Sequence, residues 1–129
     1  HELAEERARR GRDDVAILRV EQIYPLADAA LAAALAPYAE GTPVVWAQEE
    51  PVNMGAWPYL RLRFGERLLG RWPLGVVARV ESASPATGSP GSHRLEQQRI
   101  YDEAFAPAPV PRAGDKPAVR AGRAKKESR

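Results

Sequence analysis

Cysteine is absent from the 129 residues. That excludes disulfide scaffolds, Cys-based zinc sites and thiol nucleophiles. Histidine occurs only as His1 and His93, neither with a carboxylate or second His at ligand spacing, so no metal site is expected. The nucleotide fingerprints Gly-x-Gly-x-x-Gly and Gly-x-x-x-x-Gly-Lys-Ser/Thr are both missing. Ser82, Ser84, Ser89 and Ser92 cluster near His93, but no Gly-x-Ser-x-Gly elbow presents a nucleophile. Gly88-Ser89-Pro90-Gly91-Ser92 reads as a loop ahead of a helix, with N–H groups that an anion could use. No apolar run approaches the roughly 20 residues of a membrane span, and no signal-peptide pattern opens the chain.

What is present is one domain's worth of alternating pattern. Residues 2–10 read as a short exposed helix supported by Glu5–Arg9 and Glu6–Arg10 pairs and stopped by Gly11. Because the chain starts at His1 inside this pattern, it reads as a piece of a longer polypeptide. Val15 to Val20 is nearly all apolar without alternation, as in a strand buried on both faces of a parallel sheet. Pro25 and Asp28 open an Ala-rich helix through Leu26, Leu31, Leu35 and Tyr38 that ends by Gly41. Pro43 to Ala47 is a second strand. Trp57, Leu60, Phe64 and Leu68 keep helical spacing up to Gly70, Leu74 to Val80 is a third strand, and a last helix runs from His93 to Phe105 with Leu95, Ile100, Ala104 and Phe105 as its apolar stripe. This alternation predicts an α/β layered domain with a largely parallel sheet over residues 1–105.

The net charge of +2 is split along the chain. Residues 106–129 carry Arg112, Lys116, Arg120, Arg123, Lys125, Lys126 and Arg129 against Asp115 and Glu127, a balance of +5, which leaves −3 on residues 1–105. With Pro107, Pro109, Pro111 and Pro117 and no aliphatic period, 106–129 reads as a disordered basic tail. Lacking aromatics, it is expected to be solvated rather than bound to nucleic acid.

One stretch stands out, Trp46-Ala-Gln-Glu-Glu-Pro-Val-Asn-Met-Gly-Ala-Trp57. It is acidic and amide-rich, lacks any Lys, Arg or His, and follows an apolar strand, where α/β folds place binding groups. A strand-to-helix turn with capping carboxylates fits the same residues. Glu49 and Glu50 are adjacent and point to opposite sides of an extended chain, so they are not a facing acid/base pair. Either could pair with Arg79.

Three ordered blocks resemble a known family. Gly11-Arg12-Asp13-Asp14-Val15-Ala16-Ile17 with Arg19-Val20-Glu21-Gln22-Ile23-Tyr24-Pro25 is the first, and Gln48-Glu49-Glu50-Pro51-x-Asn53-x-Gly55-Ala56-Trp57 the second. Arg79 through Ser84-Pro85-Ala86-Thr87-Gly88 to His93-x-x-Glu96-Gln97 completes the series. Together they resemble the last domain of the E1 component of 2-oxoglutarate dehydrogenase. The resemblance implies a three-layer transketolase C-terminal-like domain with a mostly parallel sheet. It also implies a bacterial cytoplasmic oxidoreductase of the tricarboxylic acid cycle. Such an enzyme is a homodimer that uses thiamine diphosphate and magnesium, decarboxylates 2-oxoglutarate and passes the succinyl group to the lipoyl arm of the dihydrolipoyl succinyltransferase E2. Cofactor and metal sites in this family belong to the upstream domains, so this chain is expected to bind neither, to carry no catalytic residue and to be inactive alone. Gln48, Glu49, Glu50, Asn53 and Trp57 are then expected to form a docking loop at a domain or subunit boundary. Arg79 and His93 are the candidate effector pair for acetyl-CoA, which activates some relatives; here Gly91 and Ser92 precede His93 where many relatives have a basic residue. A stand-alone module sensing acetyl-CoA or a nucleotide is the alternative, and a tail-driven interaction protein a third. A lone domain of this kind is expected to be marginally stable or to aggregate.

Overall fold

The computed structural model describes residues 1–85 and 88–107. Helices α1 (Glu2–Arg9), α2 (Asp28–Leu35), α3 (Trp57–Phe64) and α4 (Pro90–Ala104) surround strands β1 (Val44–Pro51), β2 (Arg67–Leu68) and β3 (Trp72–Arg79). The sheet order is β1-β3-β2, with β1 parallel and β2 antiparallel to β3. The chain is thus an α/β domain with a mixed three-stranded sheet. Residues 108–129, most of the segment read as a disordered tail, lie outside the described residues, as do Ala86 and Thr87.

α1 carries Glu2 and Glu5 in its first turn and Arg7 and Arg9 in its last, the order the helix dipole favours. Its pairing differs from the expected Glu5–Arg9 contact. Buried Glu6 takes both Arg9, at 2.5 Å, and Arg10, at 2.5 Å, and Arg10 continues to Asp102 on α4 at 2.6 Å. α1 is therefore docked rather than simply exposed. The Phe105 ring lies 5.8 Å from the Arg10 guanidinium, and Arg12 donates to the Phe105 carbonyl. Hydrogen bonds from Arg9 and Arg10 hold the Glu6 carboxyl below its ordinary value, and those from Arg10 and Gln98 do the same for Asp102. A carboxyl that is more acidic when folded stabilises the fold above its unfolded value and loses that contribution as pH falls. The urea midpoint should therefore drop as pH falls past the ordinary values of 4.5 for Glu6 and 3.8 for Asp102. Glu6→Gln should flatten this acid limb and leave the midpoint less dependent on pH between 3 and 5.

Val15–Val20 is not a strand. It forms no ladder among the described residues, and Ile17 and Leu18 are 37% and 46% exposed. An apolar run becomes a central strand only where neighbours bond it on both edges. Here it is held instead along α1, with Arg7 Nη1 donating to the Val15 carbonyl at 3.1 Å and Arg19 Nη1 3.4 Å from His1 Nε2. After the cis Tyr24–Pro25 bond, α2 starts at Asp28, leaving the expected Leu26 outside it, and ends at Leu35, short of Tyr38 and Gly41.

α3 ends at Phe64 rather than continuing through Leu68. Gly65 at φ +66° leaves the helical region, a conformation that costs glycine little, and its N–H caps Arg61 O at 2.9 Å. Leu68 then sits on β2, opposite Trp72. Leu35, Leu68, Trp72 and Leu74 form the central core, with Leu31, Tyr38, Val44, Trp57, Phe64 and Leu69 packed around it. Trp72 is only 2% exposed, and its indole N–H donates to Ala39 O at 3.1 Å. α4 begins at Pro90, earlier than expected, because Ser89 is an N-cap that accepts from Ser92 N at 3.2 Å and Pro90 suits a first-turn position. Of its expected apolar stripe, Ile100 and Phe105 are buried, whereas Leu95 points to solvent.

Candidate functional site

The Trp46–Trp57 stretch is built around one carboxamide. β1 does not stop at Ala47. Its register against β3 shifts between Ala47 and Pro51, and pairing resumes at Pro51 opposite Arg79. Gln48, 8% exposed, occupies this irregularity. Its Oε1 accepts from the Trp46 indole N–H at 2.9 Å and from Trp57 N–H at 3.0 Å. Its Nε2 donates to Met54 O at 2.8 Å and Pro51 O at 3.1 Å. Two lone pairs and two hydrogens are thus all used, as burial of an amide requires. Gly55 closes the turn at φ +64°, and a Cβ there would stand 3.1 Å from both polar atoms of the Gln48 side chain.

Asn53 extends the same construction. Its Nδ2 donates to Ser82 O at 2.9 Å and its Oδ1 accepts from Ser82 N–H at 3.1 Å, copying a backbone ladder across to the segment that follows β3. Val52 N–H donates to Arg79 O at 2.9 Å, so the turn is laced to the sheet on that side. Trp57 packs against the central core. Of the five residues expected in a docking loop, Gln48, Asn53 and Trp57 therefore hold the turn through contacts inside the domain. Glu49 and Glu50 are on β1 and exposed.

Glu49 belongs to a second cluster. Gln97 Nε2 lies 3.2 Å from Glu49 Oε1, 3.1 Å from Glu2 Oε2 and 3.0 Å from Tyr101 Oη, and the Tyr101 hydroxyl donates to Glu2 at 2.6 Å. Burial, then the hydrogen bond to the Glu2 carboxylate, pushes the Tyr101 hydroxyl up from its ordinary value. This cluster joins β1, α1 and α4. The Arg79 Nε faces Glu96 on α4 at 3.5 Å, and among the described residues no ion pair joins it to Glu49 or Glu50. His93 is exposed one turn before Glu96, and no contact joins it to Arg79 among the described residues. A small cavity of about 30 Å³ lies between Arg79, Glu96, Arg99 and Ile100. Among the described residues no group of three His, Asp or Glu side chains is placed to hold a metal ion, and no helix is long and apolar enough to cross a membrane.

The sequence marks Gln48 out but does not show that its amide is satisfied internally, and it gives Gln97 no role and Trp72 no place in the core. The signal for Gln48 was its spacing: a strand residue with a Pro three positions and a Gly seven positions later has turn carbonyls within reach.

These features define an α/β domain whose polar residues are spent mainly on shaping a turn and joining elements. The chain belongs to the 2-oxoglutarate dehydrogenase C-terminal family, whose profile matches residues 1–105, and it is a C-terminal domain of the E1 component. It is 46% identical over 107 residues to the multifunctional 2-oxoglutarate metabolism enzyme of Mycolicibacterium vanbaalenii, covering 81% of this chain and 8% of that one. To the 2-oxoglutarate dehydrogenase E1 component of Cupriavidus necator it is 38% identical over 106 residues, 82% of this chain and 11% of that one. The 2-oxoglutarate dehydrogenase E1/E2 component of Corynebacterium glutamicum is 36% identical over 105 residues, 81% of this chain and 9% of that one. The chain thus spans about a tenth of the length of these relatives.

Proposed function

We propose that this domain serves assembly and active-site framing in a thiamine-diphosphate-dependent 2-oxoglutarate dehydrogenase E1. In that enzyme, bacterial and cytoplasmic, 2-oxoglutarate is decarboxylated and the succinyl group passes to a lipoyl group on the dihydrolipoyl succinyltransferase E2. Thiamine diphosphate and magnesium supply the decarboxylation chemistry and sit in domains other than this one. In the assembled homodimer the domain takes the three-layer, mostly parallel form of the transketolase C-terminal fold. Residues 1–105 are the domain and 106–129 an appended tail.

The observation that carries this reading is the Gln48 amide. Its bonds fix the end of β1, where Glu49 and Glu50 are exposed, Glu49 with Gln97 of α4 within hydrogen-bond reach. Rigid placement lowers the entropy cost of docking. Gln48, Asn53 and Trp57 hold that surface from behind, and Glu49 and Glu50 present it to the upstream domains or the second E1 subunit. Purified alone and supplied with thiamine diphosphate, magnesium and 2-oxoglutarate, the chain should release no carbon dioxide above background. Turnover would overturn the division of labour. Isothermal calorimetry with acetyl-CoA separates the sensing alternative, in which Arg79 and His93 take the effector; heat of binding lost in Arg79→Ala would favour that module.

A further inference from the structure

We propose that the docking turn is coupled to α1 through Gln97. A guanidinium or ammonium group of the partner surface that takes Glu49 releases a Gln97 hydrogen, and that hydrogen tightens α1 on α4. The coupling rests on the docking role of Glu49 proposed above. A shortage of hydrogens creates it. Gln97 Nε2 has three acceptors within reach: Glu49 Oε1 on β1 at 3.2 Å, Glu2 Oε2 on α1 at 3.1 Å and Tyr101 Oη at 3.0 Å. An amide nitrogen carries only two hydrogens. The Tyr101 hydroxyl has one, which it gives to Glu2 at 2.6 Å. Three hydrogens therefore serve four contacts. Turning the amide over is no remedy, since it would set Oε1 against two carboxylates. As it stands, Oε1 is buried with no donor among the described residues, so the polar contacts of this amide run through Nε2 alone.

Glu49 and Glu2 compete for one nitrogen, and the two anions around it repel each other. Glu49 is exposed at the end of β1, where a cation can reach it. Once a cation holds Glu49, competition and repulsion both end. The Gln97 hydrogens then go to Glu2 and to the Tyr101 oxygen, while the Tyr101 hydroxyl keeps its own bond to Glu2. Both ties to Glu2 cross from α4 to the first turn of α1. The Arg10–Asp102 pair fastens only the other end of that helix. By linkage, docking at Glu49 and seating of α1 favour one another.

Glu49→Ala in the 129-residue chain imitates the occupied turn, because it removes the competing acceptor. Losing a contact ordinarily loosens the elements it joins; here it should tighten α1. Hydrogen–deuterium exchange followed by NMR should show the amides of Glu5 to Arg10 exchanging at least about threefold more slowly than in the wild type, with those of α2 unchanged. Gln97→Met keeps the side-chain length without the hydrogens and should speed the same amides by about threefold or more. In Gln97→Met/Glu49→Ala most of the slowing should disappear. Faster or unchanged α1 exchange in Glu49→Ala overturns the proposal. So does slowing that persists in full beside Gln97→Met, which would leave charge repulsion as its whole cause. Equal slowing of α2 overturns it too, as a gain for the whole fold. No partner is present in this measurement, so its failure strikes the coupling through Gln97 and not the docking of Glu49, which shows in the dimer dissociation constant of the longer enzyme.

Discussion

Trp72→Ala should lower the unfolding free energy by about 3–5 kcal/mol, the range for deleting a buried aromatic. Against a total of about 5–15 kcal/mol for a domain of this size, that is enough to leave much of the chain unfolded at 37 °C. Among the described residues Trp72 is the most buried large side chain, and it shares a core cluster with Leu35 from α2 and Leu68 from β2. Its removal opens a cavity in the core and deprives Ala39 O of a donor. Trp72→Phe keeps most of the apolar volume and loses the hydrogen bond, so it should cost less, about 1–2 kcal/mol. Urea unfolding followed by far-UV circular dichroism measures both. Equal losses for the two variants would show that the indole N–H, not packing, dominates.

The second large effect is expected at Gln48. Alanine there leaves the Trp46 indole, Trp57 N–H, Met54 O and Pro51 O without the side chain that pairs them. With about 1–3 kcal/mol for each buried group left unsatisfied and some relaxation, we expect a total loss of about 3 kcal/mol. Gln48→Glu is the sharper probe because its shape is unchanged. A carboxylate keeps the two acceptor bonds but turns the two donor bonds into contacts between an anion and carbonyl oxygens. Such a carboxyl has its folded pKa raised above the unfolded value. The variant should therefore be least stable at neutral pH and recover as pH falls through that raised value, when the acid form can donate again. The wild type should hold its stability over that range and weaken only at lower pH, past the ordinary values of 4.5 for Glu6 and 3.8 for Asp102, where the variant weakens too. A gain in stability on mild acidification that the wild type lacks would identify the carboxamide as the organising group.

Much of the architecture is legible in the sequence, and the errors have specific causes. The alternation of apolar runs with helical spacing locates β1, β3 and all four helices, because side-chain period follows from local backbone geometry. Boundaries were missed where one residue's conformation decides them. Gly65 ends α3 before Leu68, and Ser89 starts α4 ahead of His93. Val15–Val20 has the composition of a buried strand, but strand formation depends on a neighbour that composition does not reveal. The candidate site divides the same way. Glu49 and Glu50 attract notice because they are charged, whereas the residue that shapes the site is the neutral amide beside them. Its role depends on four groups spread from Trp46 to Trp57 that only the folded turn brings to one side chain.

The central claim is that Glu49 and Glu50 act at a boundary of the assembled enzyme and not in its chemistry. It is tested most directly in the full-length E1 carrying Glu49→Ala/Glu50→Ala, by light scattering alongside 2-oxoglutarate decarboxylation. The account predicts a dimer dissociation constant raised at least about tenfold, as for loss of a desolvated charge contact, with turnover per assembled dimer within about twofold of wild type. An intact dimer with turnover reduced by a hundredfold or more would contradict it, and would place these carboxylates at the reaction itself.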